Sequence, residues 1–273
     1  MESGPYKGQT LRLLVTVKTY PTPSVSHMET VCTAGITDQG QWVRLYPVPF
    51  RYLQRRYRLY DWVEVAARKR PQEKDRRKES YEPVSEPQVV GRASEARNWR
   101  ERKALVLPHA RKSIEQILDG YSAEGESLGL IRPAAVTEVV VERETRGWSK
   151  AHRRLFEQPR LFGLQQKPLE RPDHRFCFRF ICDDPRCKGH TLPVLDWGLN
   201  WLYVREKRDA GAAAAVRKAE TKCWQLISPE RDTHLYVGTI WPYRTFAVLG
   251  VFAPRRELPD RRTRLCFDQR MPP

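Results

Sequence analysis

Apolar and polar residues alternate near the start of the chain. Leu11, Leu13, Val15 and Val17 fall on one side of an extended segment, the period-two pattern of a half-buried strand. A Pro-rich turn follows, Tyr20-Pro21-Thr22-Pro23-Ser24. Further strands are predicted over residues 31–36, 41–48 and 61–66, the middle one opened by the turn Asp38-Gln39-Gly40. Short strands at this spacing, joined by turn residues, predict a small barrel or a strongly curled sheet. Residues 68–103 break the pattern. Arg68, Lys69, Arg70, Lys74, Arg76, Arg77 and Lys78 crowd a stretch with few apolar residues, which reads as a loop or basic flap. A short helix carrying Trp99 is expected over 95–105.

The periodicity turns helical after Arg111. Ile114, Ile117 and Leu118 share a face, and Gly120 is the expected stop. The β-branched run over 134–141 predicts a buried strand, and 150–156 a short helix. Over 174–182, Phe176, Phe178 and Phe180 point one way and Cys177, Arg179 and Ile181 the other. Helix is expected over 195–227 with a break near Gly211, and two strands, 235–240 and 246–252, close the pattern. The residues beyond are expected to fray. The fold class is α+β: a β-rich, barrel-like part with a basic flap over 1–92, then a mixed α/β part over 93–273.

Charge adds a partner to this picture. The chain has 273 residues, and 49 Lys and Arg against 33 Asp and Glu leave a net charge of +16. Such a field attracts polyanions, and DNA or RNA is the expected partner. Arg outnumbers Lys and Asn occurs only at Asn98 and Asn200; that habit explains the choice of Arg but not its excess over acids. No apolar run approaches the ~20 residues of a membrane span, and the polar N-terminus has no signal-peptide core. A cytoplasmic protein with no membrane partner is expected, and in a cytosolic chain disulfides are not the default.

The sharpest local chemistry lies at Cys182-Asp183-Asp184-Pro185-Arg186-Cys187-Lys188-Gly189-His190. A strand delivers Cys182, Asp-Asp-Pro favours a reversal, and Cys187 and His190 return. Two thiolates and an imidazole within nine residues suit a tetrahedral zinc ion. The spacing C-x4-C-x2-H lacks a fourth ligand. Cys223 on the long helix is the expected one, ahead of His174 and His234; Cys177 points to the opposite face of the strand. An open fourth position would instead indicate a catalytic metal. A Cys182–Cys187 disulfide, buried thiols and an iron–sulfur cluster are the competing readings.

Asp183, Asp184 and Asp196 bracket the same segment. Carboxylates beside a basic surface are what a magnesium-dependent nuclease requires, so these are the catalytic candidates. As turn residues and a helix N-cap they have an ordinary explanation too. On the third strand Trp42, Arg44 and Tyr46 alternate along one face, opposite Val43, Leu45 and Val48, a pattern that offers unstacked bases a platform. The alternative packs Trp42 and Tyr46 into a barrel core and pairs Arg44 with an acid. Arg51, Arg55, Arg56 and Arg58, interleaved with tyrosines, extend the platform. Trp241, Tyr243 and Arg244 at a hairpin tip are candidates to wedge into a strand. The expected function is therefore nucleic-acid binding with a zinc knuckle, alone or within a larger complex. The alternatives are a metal-dependent nuclease or base-processing enzyme, and a basic protein–protein scaffold.

Overall fold

A computed structural model describes residues 8–24, 28–49, 57–144, 170–240 and 245–257. The N-terminal strands are β1 (Gln9–Lys18), β2 (Thr22–Ser24), β3 (Met28–Thr37), β4 (Trp42–Pro49), β5 (Asp61–Lys69), β6 (Ser80–Pro83) and β7 (Gln88–Arg92). Five of them close on themselves in the order β1-β3-β4-β6-β5, because β5 pairs back onto β1 from Gln9↔Ala67 to Leu14↔Trp62. Closure leaves no open edge between these strands. The alternation read from the sequence sets the two faces. Leu13, Val15, Val43, Leu45, Val63 and Val65 fill the barrel interior. Leu14, Val17 and Ala34 point outward and bury against Leu128, Leu130, Tyr236 and Leu249 of the C-terminal part.

The basic stretch is not a flap. It supplies β6 and β7, and Asp75 and Arg77 within it are 2% and 6% exposed. At these two positions the charges cancel each other, which the density of charge along the stretch does not reveal. Arg77 donates from Nε and Nη2 to the two oxygens of Asp75, at 2.8 and 2.7 Å, and from Nη1 to the Thr239 carbonyl at 2.9 Å. A fully hydrogen-bonded pair can be buried where a lone charge cannot.

The helix expected over 95–105 is α1 (Ala96–Val106), but Arg97, Asn98 and Trp99 adopt positive φ within it, so Trp99 sits at a kink and not in regular helix. Next come β8 (Ala110–Arg111), α2 (Ile114–Glu124), β9 (Leu128–Ile131) and β10 (Pro133–Arg143). Gly120 does not stop α2; the helix runs on to Gly125, which ends it in the left-handed conformation at φ 75°. The β-branched run forms β10 but is mostly not buried. Among the described strands β10 pairs only with β11, so it is an edge strand, and Val139 alone is buried. β11 (His174–Cys182) sends Phe176, Phe178 and Phe180 into the C-terminal core, each at most 1% exposed. Truncating any of them to Ala would cost about 3–5 kcal/mol. β12 (His190–Pro193) completes a three-stranded sheet, β10-β11-β12. The long helical stretch divides into α3 (Trp197–Ala210) and α4 (Ala212–Leu226) at Gly211, whose φ of 84° favours glycine. Finally β13 (His234–Ile240) and β14 (Thr245–Phe252) join β9 and β8 in a second sheet. The fold is α+β. The helix expected at 150–156 and the C-terminal tail lie outside the described residues, and no described helix is long and apolar enough to cross a membrane.

Candidate metal centre and barrel seam

The β11–β12 hairpin brings the knuckle together. Phe180 pairs with His190 across the two strands, and Cys182 ends β11. The chain then reverses, with Gly189 at φ 90°, a conformation costly for other residues. The fourth donor is Glu115, which no local spacing announced. Glu115, Cys182, Cys187 and His190 place one donor atom each within 4.8 Å of one another. His190 Nε2 lies 3.3 Å from Cys187 Sγ and 3.1 Å from Glu115 Oε1. Bonds of about 2.0–2.3 Å to a tetrahedral ion would make donor–donor edges of roughly 3.4–3.8 Å, so the edges at 3.1 and 3.3 Å would open slightly around a metal while any edge near 4.8 Å would close.

The surroundings also suit a cation. The backbone N–H groups of Cys182 and Gly189 donate to Cys187 Sγ at 3.3 and 3.4 Å, and the Ile114 backbone donates to the Cys182 sulfur. Donors aimed at sulfur favour thiolates. Without a cation, burial pushes the Cys182 thiol up to about 12, Cys187 and Glu115 adding to the same effect. Glu115 Oε2 is buried and has no hydrogen-bond partner among the described residues. An orphaned carboxylate oxygen beside two cysteines and a histidine fits a metal ion that the set could hold.

Helix α2 delivers Glu115 by its first turn. Ser113 caps it, accepting from Gln116 N at 3.1 Å, and its hydroxyl donates to Asp184 Oδ2 at 2.7 Å. The same cap therefore ties the helix to the knuckle turn. Arg186 completes the tie by donating to both Asp184 and Asp119.

These contacts revise the sequence-derived assignments. Cys223 is not part of the donor cluster; it is fully buried in the core on α4. His174 instead meets Tyr203 Oη at 2.8 Å, and His234 is buried beside Phe252. Cys177 also stays outside the cluster. Cys182 and Cys187 are free thiols, not a disulfide. Asp183, Asp184 and Asp196 do not converge as catalytic carboxylates. Asp183 is exposed. Hydrogen bonds from Arg186 and Ser113 hold Asp184 well below the usual carboxylate range. Asp196 caps α3, accepting from Leu199 N at 2.8 Å, and burial raises it to about 6. With two sulfurs among its four donors, the cluster does not suit magnesium, which prefers oxygen.

The other feature lies where the barrel meets the C-terminal part. Trp42 and Arg44 face this seam while Val43 and Leu45 face the barrel interior. Trp42 packs edge-on against His109 and Tyr236, both at 6.2 Å between ring centroids. Arg44 is 3% exposed and lies 4.0 Å from Glu79. Trp42 thus packs in the seam and not in the barrel core, Arg44 faces Glu79, and the two do not form an open platform along β4. The physical reason is that their face of the strand is covered by a second sheet, which alternation within one strand cannot reveal. Two clefts remain beside them. One, of about 590 Å³, is lined by Trp42, Tyr81 and His109 with Lys69, Lys78 and Arg111. The other, of about 350 Å³, holds Arg44, Tyr46, Arg70 and Arg77. Arg58 is exposed at the end of the barrel. Arg51, Arg55, Arg56, Trp241, Tyr243 and Arg244 lie outside the described residues.

Residues 110–270 match the family model described as Domain of unknown function (DUF8757), and residues 9–108 match Domain of unknown function (DUF8758). No curated protein matches the chain.

Proposed function

The chain belongs to the DUF8757 family, and we propose that it binds nucleic acid along the barrel seam while a zinc ion at Glu115, Cys182, Cys187 and His190 holds the C-terminal part together. The observation that carries the binding reading is the larger seam cleft. Three rings, Trp42, Tyr81 and His109, are gathered with three cations, Lys69, Lys78 and Arg111. Rings offer bases a stacking surface and cations meet phosphates, a pairing that tolerates any sequence. Lys69 already lies 4.6 Å from the Tyr81 ring centroid, and burial lowers the pKa of His109, favouring its neutral ring. The cleft also contains Glu79 and Glu126. Lys78 and Arg111 both pair with Glu126, and Lys78 also pairs with Glu124, so these two cations would exchange acids for phosphates while the chain-wide excess of +16 sets the sign of the field.

The donor chemistry supports zinc: two sulfurs, one imidazole and one carboxylate match a borderline-soft ion. Four protein donors fill a tetrahedron and leave no position for water, so the role assigned to zinc is structural and not catalytic. The Mechanism of binding asks nothing of the metal beyond holding α2 against the β11–β12 hairpin. A binding titration of single- and double-stranded DNA and RNA across salt concentration tests the reading. Affinity should fall steeply as salt rises, and Lys69→Gln with Arg111→Gln should weaken it. A flat salt response would overturn the proposal.

A further inference from the structure

The smaller seam cleft has a polar feature that the fold leaves unresolved. Arg44 is 3% exposed, yet its hydrogen-bond partners are not carboxylates: Nη1 donates to Cys32 Sγ and Nη2 to Ser127 Oγ, both at 3.3 Å. The Glu79 carboxylate stays 4.0 Å away and accepts instead from the Ser127 amide and hydroxyl. Arg44 Nε is buried with no hydrogen-bond partner among the described residues. A guanidinium so buried without a bonded carboxylate is unusual, since buried charges are ordinarily paired and bonded.

Arg70 lines the same cleft. Its Nη1 donates to the Tyr46 carbonyl at 3.0 Å and its guanidinium lies 5.5 Å from the Tyr46 ring centroid. Arg70 has no ion-pair partner among the described residues. Arg77 differs, because Asp75 satisfies it in both oxygens. Three guanidinium groups therefore meet two carboxylates, Asp75 and Glu79, and the excess positive charge rests with Arg44 and Arg70. Leu195, Ile240 and Leu249 add an apolar lining. The volume of about 350 Å³ falls within the range of small-ligand sites.

We propose that this cleft binds the phosphomonoester of a nucleotide, with the phosphate at Arg44 and Arg70 and the base against Tyr46 and the apolar lining. A phosphomonoester carries close to two negative charges at neutral pH and three strong acceptor oxygens, matching two under-paired guanidinium groups better than a carboxylate does. The assignment of a nucleotide, as opposed to another phosphate ester, rests on the nucleic-acid reading of the seam. The phosphate has two sources, a free nucleotide or the end of a strand.

Isothermal titration of the full chain with adenosine 5′-monophosphate and with adenosine tests the cleft. The nucleotide should bind at least about tenfold more tightly, as charge-assisted bonds require. Arg70→Gln, at a half-buried position, should abolish that preference while circular dichroism reports an intact fold; it carries the test should Arg44 variants fail to fold. Equal affinity for the two compounds, or a preference unchanged in Arg70→Gln, overturns the proposal. A short single-stranded oligonucleotide, with and without a 5′-phosphate, distinguishes the sources. A 5′-phosphate preference assigns the cleft to a strand end, and its absence beside tight nucleotide binding assigns it to the free nucleotide. Salt-dependent oligonucleotide binding with no nucleotide preference removes this cleft alone. Nucleotide preference with no oligonucleotide binding removes the seam reading alone.

Discussion

The seam and the knuckle bury opposite charges and leave opposite deficits. At the seam the surplus is guanidinium: Arg44 and Arg70 against carboxylates already committed to other partners. At the knuckle the surplus is donor atoms for a cation, two thiols, an imidazole and a carboxylate oxygen with no hydrogen-bond partner. The barrel beside the seam is closed by its own strand pairing. Among the described residues the β10-β11-β12 sheet has three strands, and its far turn is tied to α2 through Ser113, Asp184 and Arg186. A closed barrel can hold unbalanced charge for a ligand because its backbone is already satisfied. A small sheet with an unmatched donor set depends on what fills that set.

The largest test of this contrast removes the metal. Cys187→Ser, or a strong chelator, should release about one ion per chain and destabilise the C-terminal part by on the order of 5 kcal/mol. Elemental analysis and thermal unfolding would read both, and an unchanged melting temperature would deny the metal a structural role. Glu115→Gln should keep weaker binding, because it retains one oxygen donor.

Next comes the buried pair at the barrel. Arg77→Met leaves Asp75 buried and uncompensated and should cost about 3–5 kcal/mol in denaturant unfolding. Adding Asp75→Leu should recover much of that loss, because the stranded charge is then gone. If the double variant is no better than the single, the pair acts through Arg77's bond to Thr239 and not through charge.

A smaller effect concerns Asp196, which caps α3 outside both sites. Its folded pKa is raised from 3.8 to about 6, so the folded chain holds a proton that the unfolded chain releases. Its stabilising contribution is therefore present below about pH 4 and lost as pH rises through about 6. The loss is on the order of 3 kcal/mol. Asp196→Asn should flatten that part of the stability–pH curve, and an unchanged slope would refute the assignment. The smallest effect belongs to the exposed rim: Lys69→Gln should lower the slope of log affinity against log salt by about 1 if the lysine meets one phosphate.

Much of this molecule was legible as pattern. The alternation from Leu11 to Val17 and the three phenylalanines of β11 encode their faces directly, because a strand's period is two and one face is buried. The break at Gly211 and the approach of Cys182, Cys187 and His190 were likewise local, since a single reversal makes those residues neighbours. What lay beyond the sequence were relations between distant segments. Glu115 became the fourth donor because the capped start of α2 docks on the knuckle turn, 67 residues away by the Asp119–Arg186 tie. Asp75 and Arg77 vanished into the interior of a stretch that reads as solvated, because each cancels the other. Arg44 left the surface because a second sheet covers β4. The sequence by itself determined which side chains share a face and which turns bring donors together. Only the tertiary structure decided which faces meet, and therefore which charges are cancelled and which are left for a ligand.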